Sequence, residues 1–386
     1  MTNVEVTAID SLKDINSLVW DECACPEARN GIRPIDPFTT FRFLSSLEES
    51  RSVGPGTGWV PNYLIAKESN SITGVMPFYI KQHSQGEYIF DHNWAQAFAQ
   101  AGGRYYPKFQ IAVPFTPVSG RRLLLKPGYE EGAGDALISA AKKIAAANHV
   151  SSIHFTFCTE EEAENSKKWG LLNRKNFQYH WSNNNYRDFD DFLDVLSSRK
   201  RKAIKKERLQ ALKFGGEISQ LSGSDITPEI WDSFWMFYQD TGARKWGAPY
   251  LTRSFFDIIQ DKMQDDILLV LAHREGKHVA AALNFIGRDS LFGRYWGCCE
   301  DHSCLHYELC YYQAIDYALS QKLKKVEAGA QGEHKLSRGY LPVITHSMHW
   351  FLNDDFGSAV ENYLNQEKLI IQDQCNQMIS EGPFKG

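Results

Sequence analysis

Alternating apolar and polar residues predict two β-hairpins, one in each half of the chain. In the first half, Tyr63–Lys67 reads as a strand, Glu68–Ser71 as a turn and Ile72–Lys81 as a second strand. In the second half, Ile267–His273, the turn Arg274–Lys277 and the strand His278–Ile286 repeat that order. An aromatic-rich segment, a helix and a strand follow each hairpin. The helices are Gly134–Asn148 and Leu305–Gln321, and the strands are Ser151–Cys158 and Lys325–Ala330. The residues of the two halves differ, so the order of elements carries the reading of a duplicated β-β-α-β unit.

Between the halves the period changes to that of a helix. Phe189–Leu196 reads as helical, and the run Ser198–Arg208 continues it. Leu196, Ala203, Ile204, Ala211 and Leu212 leave a narrow apolar stripe on this basic helix, and Gly215-Gly216 ends it. Pro228–Thr241 reads as an aromatic-rich core helix and Ser358–Ile379 as a terminal helix. The boundary belongs near residues 185–215, which predicts one domain over 1–190 and a second over 191–386.

The length of 386 residues accommodates two domains of ordinary size. The hydrophobic and charged fractions, 43% and 23%, are those of a globular protein. A net charge of −5 excludes a protein that is basic overall, so a basic site has to be local. Met1–Leu18 carries acids and no apolar run, and no window of about 18 apolar residues occurs, so neither a signal peptide nor a spanning helix is expected. The eight cysteines are scattered, and Cys23-x-Cys25 and Cys298-Cys299 lack zinc-site spacing. They read as reduced thiols of a cytoplasmic protein with no metal.

Three places concentrate candidate chemistry. The stretch Val326–Lys335, with Arg338, Gly339 and Tyr340 after it, packs acids, an amide, an imidazole and cations around three glycines at a strand end. Residues 199–213 hold eight Lys or Arg against one acid, and Arg199, Lys202 and Lys206 share one helical face. That face predicts an anion site for the phosphates of a nucleotide-linked substrate or for a tRNA backbone. In the first half, Lys81, His83, Glu87, Tyr88 and Asp91, then Arg104, Tyr105, Tyr106 and Lys108, interleave aromatic and charged groups, which suits a sugar, nucleotide or peptide carboxylate.

Several segments together resemble the FemAB-like family of predicted N-acyltransferases. They are Lys81–Asp91, Arg104–Lys108, Ala112–Gly120, Ser197–Lys202, Arg294–Cys298, Leu305–Ile315 and the polar stretch Val326–Lys335. The resemblance spans nearly the whole chain. It implies an α/β (α+β) fold of two tandem GNAT-like acyltransferase domains with mixed sheets flanked by helices, as in the Fem aminoacyltransferases of peptidoglycan synthesis. It also implies a basic helix opening the second domain. GNAT enzymes hold an acyl-CoA pyrophosphate in a glycine loop at a helix N-terminus. The corresponding segments here are Tyr129–Gly134, with glycines but two carboxylates, and Glu300–Cys304, with two acids and no glycine. Both depart from the pattern, which favours an aminoacyl-tRNA donor over acyl-CoA.

The expected activity is transfer of an acyl or aminoacyl group to an amine of an anionic acceptor, with no bound cofactor. His306, Glu308, Glu327 and Gln331 are the candidate catalytic residues. Lys81, His83, Glu87, Tyr105, Lys108, Arg294, Tyr295, Lys335 and Arg338 are candidates for holding substrate, with Tyr105 and Lys108 presenting the acceptor. The alternatives are a non-catalytic tandem GNAT-like protein that binds a cell-wall precursor or another anionic metabolite, and an acyl-CoA-dependent N-acetyltransferase.

Overall fold

The structure, a computed structural model, describes residues 4–28, 31–245, 249–330 and 332–385. The chain divides into two compact units. Unit 1 comprises Met1–Arg29, Phe38–Phe177 and Ile344–Gln374, and unit 2 comprises Asn30–Pro37, Gln178–Val343 and Cys375–Gly386. Unit 2 holds a mixed sheet and unit 1 a mixed sheet with a separate antiparallel sheet of four strands, with helices packed against them.

In unit 1 the expected hairpin is Tyr63–Glu68 with Ser71–Met76. Its turn residues Ser69 and Asn70 both adopt φ > 0, the two-residue turn that matches strand twist. Val4–Ile9 adds antiparallel to the outside of this hairpin. The second strand is interrupted at Pro77, which has no N–H to give to the ladder, and resumes as Tyr79–Lys81. Tyr79–Lys81 pairs antiparallel with Trp59–Pro61 and with Lys108–Ile111. Lys108–Ile111 then runs parallel to Ser152–Cys158, whose other edge pairs antiparallel with residues 346–351.

Unit 2 repeats this scheme. Glu217–Leu221, Ile267–Arg274, Lys277–Ile286 and Ser290–Cys298 are successively antiparallel. Ser290–Cys298 runs parallel to Lys325–Glu327, which pairs antiparallel with residues 180–182. In both units the parallel pair follows the hairpin, and the last strand comes from a distant part of the sequence. The compact units are therefore not the two sequence halves: the division falls at Phe177/Gln178 rather than at 190/191, and residues 344–374 group with unit 1.

Helix Glu130–Ala147 covers the unit 1 sheet through Ala133, Leu137, Ile138, Ala141 and Ala145, spaced three to four residues apart on one face. It starts at Glu130, so most of the segment that corresponds to the GNAT phosphate loop is helical. A Cβ at Gly134 would lie 3.3 Å from the Leu125 side chain, so this glycine serves close packing onto the sheet. The helix expected at Leu305–Gln321 runs to Ser320 but widens to π-helical turns over Glu308–Tyr312. The strand expected at Lys325–Ala330 ends at Glu327.

Helix Pro228–Lys245 packs so closely on the unit 2 sheet that a Cβ at Gly297 would sit 2.3 Å from the Phe237 carbonyl oxygen. Backbone cannot yield there as a side chain could. Gly297→Ala should lower unfolding free energy by about 1–3 kcal/mol, measured by urea denaturation. A neutral substitution would mean that this helix rides loosely on the sheet.

Candidate functional site

The parallel pair in unit 2 is short on one side. Ser290, Leu291 and Phe292 pair with Lys325, Val326 and Glu327, and there the partner strand stops. Ser290–Cys298 continues, paired on its other edge with Lys277–Ile286. Among the described residues, the edge from Gly293 to Cys298 has no partner strand. A bulge sits at its start: Leu283 pairs with Tyr295 and Asn284 with Gly293, so Arg294 is the extra residue.

Polar side chains converge on one face of the sheet at this point. Glu327 lies opposite both Phe292 and His180, and Lys325 and Gln178 sit two residues back on the same face. The Glu327 carboxylate is buried. Its Oε1 accepts from Lys325 Nζ at 2.6 Å, and its Oε2 lies 3.9 Å from His180 Nε2. Oε2 has no hydrogen-bond partner among the described residues. Burial would raise the pKa of this carboxyl, but His180, Lys325 and Arg294 outweigh it and hold the group below the ordinary range. Burial lowers the pKa of His180, and Lys325, Arg294 and Lys335 add to this against Glu327, so the imidazole is neutral at pH 7. Lys335 is buried and donates to Gly329 O at 3.2 Å; burial, with Arg294 beside it, pushes its amine down to about 7. Three groups around this strand end, Glu327, His180 and Lys335, thus have shifted proton affinities, a feature that clusters at functional sites. His180 and Gln178 carried no sequence signal, because their strand comes from far away in the chain.

The other candidates of this half are placed differently. Glu308 is buried and fully engaged: Arg208 donates to both of its oxygens, at 2.9 and 3.2 Å, and Gln313 Nε2 donates at 2.9 Å. It anchors the basic helix through Arg208. Arg338, expected to clamp an anion, instead donates to both oxygens of Glu207 and to His334 O, with its guanidinium 3.5 Å from the Tyr307 ring centroid. His306 is half-buried among Trp296, Tyr307, Tyr311 and His334. Tyr295 is half-buried and packs its ring edge-on against Tyr238 at 5.2 Å. Gln331 lies outside the described residues. No group of three His, Cys, Asp or Glu side chains is placed to hold a metal among the described residues.

The first-half candidates form a buried network inside unit 1, in which Glu87 Oε1 and Asp91 Oδ1, like Glu327 Oε2, have no hydrogen-bond partner among the described residues. Lys108 is fully buried and donates to Ser84 Oγ at 2.8 Å, to Glu87 Oε2 at 2.7 Å and to Asp91. Tyr105 OH donates to Asp91 at 2.8 Å. Lys81 donates to Gln85 O, faces Glu87 at 3.7 Å and sits 3.8 Å from the Trp59 ring centroid. Burial drives Lys81 down to about 7 and Glu87 up to about 7. His83 is half-buried, its ring filling the space that a side chain at Gly58 would need. Tyr105 and Lys108 were expected to present the acceptor, but both are buried and their polar groups are engaged within the unit.

The basic helix, Ser198–Ala211, is answered by acids on one side only. Arg208 pairs with Glu308 and Asp316, Arg201 with Asp194 and Lys205 with Asp190. Arg199, Lys202 and Lys206 are exposed, with no ion pair found among the described residues.

A family model described as peptidoglycan biosynthesis/recognition, FemAB-like, matches residues 11–386. The chain belongs to this FemAB-like family. A search of curated protein sequences finds no match. Among solved structures the chain is similar to FemX, at a TM-score of 0.54 and 14% identity, covering 92% of this chain and all of FemX. It is also similar to a conserved protein of unknown function from Bacteroides thetaiotaomicron VPI-5482, at 0.52 and 11%, covering 90% of this chain and 100% of that one. L-PGS from Bacillus licheniformis matches at 0.50 and 8%, covering 88% and 97%. At these identities the likeness is one of fold, and it is the tandem GNAT-like fold that the sequence resemblance implied.

Two stability tests follow from the buried charges. Lys108→Met leaves Glu87 and Asp91 buried without their main cation and should cost about 3–5 kcal/mol in denaturant unfolding. A loss below about 1 kcal/mol would show that water reaches the network. An unfolded lysine keeps its proton to about pH 10.4, whereas folded Lys335 keeps it only to about 7. Between these values the unfolded chain binds the extra proton, so this residue makes stability rise with pH across that window. Lys335→Met should flatten the rise between neutral pH and about pH 9.5. An unchanged slope would mean that the amine stays charged in the fold.

Proposed function

We propose that this chain is an N-acyltransferase of peptidoglycan-related processes that passes an acyl or aminoacyl group to an amine of an anionic acceptor, with unit 2 as the reacting unit. Family membership supports a transferase. The observation that carries the choice of unit is the gap beyond Phe292 and Glu327, where an open strand edge faces a buried carboxylate with one free oxygen.

In this reading the donor chain lies along the open edge of Gly293–Cys298, whose N–H groups hold its carbonyl oxygen. The acceptor amine attacks the carbonyl carbon, forming a C–N bond, and the bond to the leaving oxygen or sulfur breaks. The amine proton passes to Glu327 Oε2 and on to the leaving group. In this reading Arg294 supplies positive charge beside the developing oxyanion and meets an acceptor carboxylate or phosphate, while Lys335, its amine pushed down to about 7, acts as a hydrogen-bond donor. The donor that fits best is an aminoacyl-tRNA. Glu300 belongs to the segment that corresponds in sequence to a GNAT pyrophosphate loop and lacks its glycines, and Arg274 and His302 are already engaged with its carboxylate. In unit 1 most of the equivalent glycine segment is helical, as described above.

Purified protein incubated with aminoacyl-tRNA pools and with acyl-CoAs, with mass detection of products, tests the reading. Transfer is expected from aminoacyl-tRNA, while calorimetry should show acetyl-CoA binding weaker than micromolar. Glu327→Gln should lower turnover by about 10²-fold or more with the fold intact, and His306→Ala should do the same if the imidazole in the helical turn Leu305–Tyr307 is the proton acceptor instead. Full activity in both variants, together with loss of activity in Glu87→Gln, would move the chemistry to unit 1.

A further inference from the structure

The outward face of the basic helix is not purely cationic. From Lys202 to Lys213 the exposed residues are Lys202, Ala203, Lys205, Lys206, Leu209, Leu212 and Lys213, with no acid among them. Leu209 is 66% exposed and Leu212 57%. The helix cannot rotate to bury them. Ile204 and Ala211 are buried on the opposite side, Arg208 is fixed by Glu308 and Asp316, and Glu207 is fixed by Arg338 and Tyr312. Lys205 meets Asp190 at 3.3 Å, but both side chains are mostly exposed, so that pair is weak. Among the described residues no ion pair is found at Arg199, Lys202, Lys206 or Lys213.

We propose that this face seats the protein on an anionic lipid surface. A nucleic-acid backbone would use the lysines alone and would leave two leucines against a wet, polar interface. The boundary of a bilayer takes both kinds of group: lysines meet anionic headgroups while leucines enter the acyl boundary beneath them. The rest of the chain carries net negative charge and is repelled by such a surface, so contact is confined to this face and has one orientation. Among the described residues no helix is long and apolar enough to cross a membrane, so the contact is peripheral.

The test uses the full chain and sedimentation with vesicles of phosphatidylcholine, alone or with roughly one-third phosphatidylglycerol, at low salt. Binding is expected only to the anionic vesicles and should be lost at about 0.5 M salt. Each lysine near the surface is worth about fivefold in partitioning, so Lys202→Gln with Lys206→Gln should weaken binding about 25-fold. Leu209→Gln with Leu212→Gln should weaken it about tenfold at unchanged charge. All four positions are exposed, and circular dichroism checks that the variants fold. Absence of binding to anionic vesicles at low salt overturns the proposal, as does a leucine pair variant that binds like the wild type. An RNA hairpin that binds more tightly than the vesicles, and is sensitive to the lysines but not the leucines, assigns the face to nucleic acid instead.

Discussion

The end of one short strand organises unit 2. Lys325–Glu327 pairs with Ser290–Phe292 and with residues 180–182 for only three residues. Gly329 then turns the chain away with φ of 81°, a conformation that costs glycine little. The neighbouring strand goes on for six more residues with no partner strand on that edge among the described residues. Glu327 stands at this stop, and the charges around it shift the proton affinities of Glu327, His180 and Lys335.

Unit 1 uses the same plan and closes it. Its parallel pair, Lys108–Ile111 with Ser152–Cys158, is buried along its whole length. Arg122, fully buried, donates to Thr156 O at 2.8 Å and to Val118 O at 2.5 Å, which seals the strand end with a guanidinium and its supporting loop. The polar residues of this unit are turned inward on one another, in the Lys81–Glu87–Lys108–Asp91 network, and serve its own cohesion. Two units of one topology therefore differ in whether the gap between the parallel strands is filled.

Charge distribution follows a similar rule. The run from Arg199 to Arg208 would repel itself in isolation, and the fold answers Arg208 with Glu308 and Asp316, while Arg201 and Lys205 meet the exposed Asp194 and Asp190 at the surface. Glu308 is bound into this arrangement by Arg208 and Gln313. What remains is an outward face of lysines with two leucines, a composition that interior packing does not explain.

Hairpin strands, the covering helices, the basic helix and the repeated element order were legible in the sequence, because alternation and helical period depend on local burial alone. So was the family, since its segments are long and specific. The polar stretch around Glu327 and Lys335 was visible too, as a cluster with more chemistry than a turn needs. The sequence could not say which of those groups are free: Arg338 and Glu308 look like ligands for substrate until Glu207 and Arg208 occupy them. Nor could it reveal His180, whose strand meets Glu327 only because a segment from the first half completes the sheet of unit 2. Pairing between distant strands and the partners of buried charges are long-range choices, and only the tertiary structure made them.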